Sequence, residues 1–166
     1  MSRKSLGQLF KHELEAEVTS TRKCLERIPE SLFDYKPHER SMNMGYLVLI
    51  IAEMPDWITQ TIKKSEIDFA TYKPSQPKTT AELVKQFDDN LVGAKAALQE
   101  VTDEKLAELF YLKNNGVTLT SSRKDDSIGS LLNHLVHHRG QLTVYMRLND
   151  ILVPSIYGPS ADDKGF

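Results

Sequence analysis

The sequence predicts an all-α protein built as a four-helix bundle, and three observations lead there. Apolar residues recur near helical spacing in four long segments. Long proline-bearing connectors lie between the first and second and between the second and third of them. The one stretch with strand character, "YLKNNGVTLTSS", is a short hairpin-like loop ahead of the last helix. Four long helices with one long connection on each side of the third describe a helix bundle.

The 166 residues suit a single domain, 1–166, with one core. A hydrophobic share of 40% beside 27% charged residues describes a soluble globular chain and excludes a disordered one. The formal net charge is −2, and no basic stripe interleaves with aromatics, so no nucleic-acid partner is expected. The longest apolar run, "MGYLVLIIA", is too short to span a bilayer, so no membrane partner is expected either. The N-terminus turns charged within a few residues and does not read as an export signal. Cys24 is the single cysteine, which precludes an internal disulfide and fits a reducing, cytoplasmic setting.

Residues 5–28 are read as the first helix, with Leu6, Leu9, Phe10, Leu14, Val18, Leu25 and Ile28 at helical spacing and Pro29 closing it. The connector that follows has Phe33 and Tyr35 to pin it to the bundle. A second helix runs from Ser41 or Asn43 to Lys64, with Asn43 as its N-cap. Its residues are apolar nearly all round, which marks the buried helix, and Pro55 inside it predicts a kink. "FATYKPSQPK" reads as a linker. Thr79 with Glu82 three positions later matches a capping box and opens a third helix that ends near Glu100. "TDEKLAELF" adds a short helical turn. Asn115-Gly116 suits a hairpin turn or an ordered loop. The last helix runs from Asp125 or Asp126 to Asn149, with aspartates at its positive end. The Pro/Gly-rich tail is expected to lie against the body as coil.

Three of the five histidines stand in "NHLVHHRGQ", residues 133 to 141. His134 and His138 are one turn apart, about 40° around the axis, and flank the apolar face of Ile128, Leu131, Leu132, Leu135, Leu142 and Met146. Gln141 and Tyr145 continue the stripe. His137 is about 60° to the other side and more exposed. Two imidazoles at this spacing can reach one divalent metal, but the pattern is short and also describes polar residues at a helix contact. Gly140, in mid-helix, is accounted for by close approach of a backbone or ligand. Arg139 is placed on the far side from His134, in an ion pair or interface.

"SMNMGYLVLIIAEMPDW", "LLNHLVHHRGQLTVYMRLND" and "VPSIYGPSADD" together resemble the DinB-like superfamily, over most of the chain. The resemblance implies an up-down-down-up four-helix bundle, commonly a homodimer, holding Zn²⁺ or Ni²⁺ on three histidines. Two of these come from the last helix and one from the second. It also implies a small-molecule or thiol partner, since characterised relatives include thiol-dependent S-transferases and a mycothiol-dependent isomerase. His134 and His138 match the last-helix pair. The second-helix position falls on Ile50, so the third ligand is missing, and two ligands are few for a catalytic ion.

Neither Glu53 nor Asp56 replaces it, since both point away from Ile50 and read as solvated carboxylates. His12 reads as surface, and His38 lies in a coil. Cys24 reads as a buried filler. The sequence therefore leads to a degenerate site, metal-free or weakly metal-binding, with Ile50, Trp57, Gln141 and Tyr145 as candidate ligand-pocket residues. The alternative is a divalent-metal-dependent S-transferase or hydrolase using His134 and His138. No catalytic residue is assigned.

Overall fold

A computed structural model describes residues 4–165. Four long helices enclose the core: α1 (Leu6–Glu26), α2 (Met44–Lys63), α3 (Thr80–Glu100) and, after a short α4 (Asp103–Leu106), α5 (Lys124–Leu148). Helix α1 packs on α3 and α5, and α2 packs on the same two, so the four form a ring. The all-helical expectation is corrected in one respect. A three-stranded sheet is present, made of β1 (Glu66–Asp68), β2 (Leu109–Asn114) and β3 (Val117–Arg123), in the order β1-β2-β3.

The helix starts follow from capping. Ser5 accepts from the Gln8 N–H while the Gln8 side chain returns to Ser5, and Thr79 and Glu82 do the same at α3. Asn43 accepts from the Tyr46 N–H as expected. Helix α2 continues unbroken through Pro55. Helices α1 and α3 approach closely at Gly7, where a Cβ would lie 2.5 Å from the Leu98 carbonyl oxygen. The core is aliphatic, with Leu25, Leu47, Ile51, Ile58, Leu83, Phe87, Leu98 and Ile128 fully buried, each contributing about 1.5–3 kcal/mol. The first connector is pinned as expected: Tyr35 and Phe33 pack on the core and accept from the Met44 and Gly45 N–H groups.

Strands β2 and β3 are the anticipated hairpin, with Asn115 at φ 49° and Gly116 at φ 76°. Strand β1 joins β2 in parallel, and it lies just ahead of the stretch read as a linker. The Asp68 carboxylate locks this corner by accepting from the N–H groups of Ala70, Asn115 and Gly116. These bonds hold its pKa below the ordinary range. The sheet also fixes the start of α5. Buried Lys124 donates to the carbonyls of Thr61, Ile62 and Lys64 at the end of α2. That contact puts the start of α5 beside the end of α2, so the two helices run antiparallel.

Candidate functional site

The antiparallel run brings the middle of α5 opposite the early part of α2. His134 lies ten residues past Lys124 and Ile50 eleven before Thr61, roughly 15 and 16 Å along the two axes. They meet at one end of a cavity of about 760 Å³ between α2, α5, the sheet and residues 69–74. Its α2 wall is a stripe made by Tyr46, Ile50, Glu53, Met54, Trp57 and Thr61. Phe110 and Leu112 of β2 and Thr120 and Ser122 of β3 form its floor. The volume and the mainly apolar lining with a few polar groups are those of a small-molecule site.

The histidine pair is self-satisfied. His138 is buried, whereas His134 stands at the cavity mouth. Their Nε2 atoms are 2.6 Å apart, and His138 Nδ1 is 2.7 Å from Gln141 Oε1. An amide oxygen only accepts, so His138 carries its proton on Nδ1 and offers a bare Nε2, to which His134 Nε2–H donates. Burial against the cavity wall, then the neighbouring His138 and His137 imidazoles, lowers the His134 pKa.

Glu53 departs from its reading as a solvated carboxylate. It is 8% exposed, and its Oε1 accepts from the Ser75 N–H and hydroxyl. The segment carrying Ser75 covers it, which α2 alone could not reveal. Burial raises its pKa despite those bonds. Beside it the Tyr72 phenol is also pushed up, by burial and then by the Glu53 and Asp56 carboxylates. Trp57 packs against Tyr72 at 5.0 Å and Phe69 at 5.9 Å between ring centroids.

A family model described as the DinB family matches residues 1–164. The chain belongs to the DinB family. Solved structures of DinB-like proteins share the fold: one from Bacillus cereus has a TM-score of 0.69 at 23% identity, covering 90% of this chain and 97% of that one. The DinB-like protein YjoA from Bacillus subtilis gives 0.68 at 18% identity, over 95% and 99% of the two chains. A structure from Exiguobacterium sibiricum, assigned to the same family, gives 0.65 at 16%, over 97% and 99%. The uncharacterized protein YrdA of Bacillus subtilis is 52% identical over 33 residues, a stretch spanning 20% of either chain.

Within this DinB chain the candidate residues divide. Ile50, Trp57 and His134 line the cavity; Gln141 does not, but orients His138. Tyr145 is outside the cavity as well, since its hydroxyl donates to the Met42 carbonyl and its ring meets Tyr35 edge-on. It pegs the first connector. His12, His38 and His137 are exposed. Gly140 is corrected: a Cβ there would meet nothing within 4 Å, so no close approach accounts for it. Among the described residues, no three His, Cys, Asp or Glu side chains are grouped so as to hold a metal ion. None of the described helices is long and apolar enough to cross a membrane.

Arg139 faces the other way, as placed, and is 1% exposed. It pairs with Glu17 at 2.6 Å and donates to Ser20, Thr21 and the Tyr157 hydroxyl, which in turn donates to Glu17. The tail is tied further by Asp162 to Arg147 and by Ser160 to the Val153 carbonyl. The "YGPSADD" part of the family resemblance is therefore a structural strap. Cys24 lies in this interior, and burial pushes its thiol up to about 11, which makes it inert.

Proposed function

We propose that this DinB-family protein binds a small molecule in the α2–α5 cavity, and that its metal site is degenerate. The protein then works metal-free or with weakly held metal. The observation that carries this reading is the direct contact of the two imidazoles. Their Nε2 atoms lie 2.6 Å apart, within hydrogen-bond distance of each other, and Ile50 offers hydrocarbon where a third donor would stand. The donor set present does not fit a catalytic ion, which normally takes three protein ligands and water. The same reading takes the helices as an up-down-down-up bundle in a cytoplasmic homodimer, a setting that the single cysteine of the chain fits.

One observation favours divalent-metal-dependent S-transfer or hydrolysis as a second reading. His138 is held by Gln141 in the tautomer that presents a bare Nε2, as in a ligating histidine. The test is zinc titration of the parent and of Ile50→His. The degenerate-site reading expects no saturable binding in the parent and gained binding in the variant. Tight zinc binding by the parent, abolished in His134→Ala, contradicts it and supports the second reading.

A further inference from the structure

The charges and polar atoms of the cavity wall narrow the ligand class. Glu53 and Asp126 both line the cavity, and among the described residues no lysine or arginine does. An anionic ligand would meet two carboxylates and no cation. The buried Glu53 carboxyl stands beside the rings of Trp57 and Tyr72, a combination that suits an ammonium through charge and cation–π attraction. A second observation is independent of charge. Thr61 is 1% exposed, lines the same cavity, and its Oγ1 is the one buried side-chain polar atom among the described residues without a hydrogen-bond partner. Buried polar groups are almost always paired, so an unpartnered hydroxyl on a residue of the cavity wall is a point where a ligand's polar group has a partner to gain. Glu53 and Thr61 are eight residues apart on α2, roughly 12 Å along the axis. The space between them is apolar, with Trp57, Phe69 and Phe110 around it.

We propose that the cavity binds an elongated hydrophobic amine, with its ammonium at Glu53 against Trp57 and Tyr72. Its apolar body lies along Phe69 and Phe110, and a hydrogen-bonding group at its far end reaches Thr61. The inference rests on the reading of the cavity as a small-molecule site and adds the ligand's charge and polarity pattern. It also separates this cavity from one built for an anionic thiol, which would call for cationic side chains.

Trp57 is the only tryptophan of the chain, so its fluorescence reports occupancy without a label. Decylamine, decanol and decanoate, below their aggregation limits, offer one apolar chain with three head groups. The expected result is saturable quenching or enhancement by decylamine, with an affinity at least about tenfold above that of decanol and decanoate. In Glu53→Gln the preference over decanol is lost while decanol binding persists. The ω-hydroxy derivative of decylamine is expected to bind the parent more tightly than decylamine, and this gain disappears in Thr61→Val. Equal binding of decanol or stronger binding of decanoate overturns the amine assignment and leaves the cavity reading standing. Saturable zinc binding by the parent beside amine preference overturns the degenerate-site reading alone. Binding of none of the three overturns both the amine assignment and the cavity reading. Where Glu53→Gln does not fold, the head-group series in the parent decides by itself.

Discussion

The two faces of α5 handle their polar groups in opposite ways. Toward α1 and the tail, Arg139 is fully buried and spends its donors on Glu17, Ser20, Thr21 and Tyr157, all within the chain. Toward α2, His134 opens on a cavity whose wall holds a buried carboxyl and a threonine hydroxyl with no partner. A polar group satisfied by its own chain serves the fold. On the α2 side the Thr61 hydroxyl is left without a partner, whereas Glu53 is held by Ser75 and the two imidazoles meet each other. The family resemblance in "NHLVHHRGQ" spans both faces, since it holds Arg139 on one and the two histidines on the other.

The comparison breaks most sharply at Arg139. Replacing it with alanine leaves Glu17 in a largely buried position without its cation, and about 3–5 kcal/mol of stability should be lost. Urea unfolding of Arg139→Ala and His134→Ala measures the contrast, with the histidine variant expected within about 1 kcal/mol of the parent. Equal losses would mean that both faces are structural. Lys124→Met comes next in size. It strands three carbonyls at the end of α2, and about 2–3 kcal/mol should be lost in the same assay.

Thr61→Val should change sign. It removes a buried hydroxyl with no partner, so the ligand-free protein should gain about 1 kcal/mol, seen as a raised Tm. A loss would show that the hydroxyl is satisfied by the protein.

The smallest effect is pH-dependent. The folded-state pKa of His134 is depressed below 6.5 by burial and the neighbouring imidazoles. Its contribution is therefore present above the unfolded value and is lost as pH falls through the depressed one. The urea midpoint should decline on acidification below about pH 6.5, less steeply in His134→Gln. Asp162, held low first by Arg147 and then by the Val153 N–H, loses its contribution in the same direction, but below the ordinary aspartate range. An equal decline in parent and His134→Gln would assign the titration elsewhere.

The helices were legible because their signals are local. Asn43, the Thr79–Glu82 box and the Asn115-Gly116 turn each act within four residues, and each is found where it was read. Strand β1 escaped because three residues carry no period, and its partner β2 lies more than forty positions onward. The cavity escaped for a related reason. Residues 69–74 and the sheet close it, and their return over α2 is a tertiary fact. That return is also what converts Glu53 from a surface carboxylate into a buried one. Gly140 misled differently: a glycine in mid-helix suggests close approach, yet here it faces open space, and nothing in the structure explains its choice.

The most direct test of the central claim is anomalous scattering at the zinc edge from crystals of protein purified without chelator or added metal. The account predicts no peak between His134 and His138, with their Nε2 atoms within hydrogen-bond distance of each other. A peak equidistant from the two nitrogens, completed by a third ligand, would contradict it and return the cavity to metal chemistry.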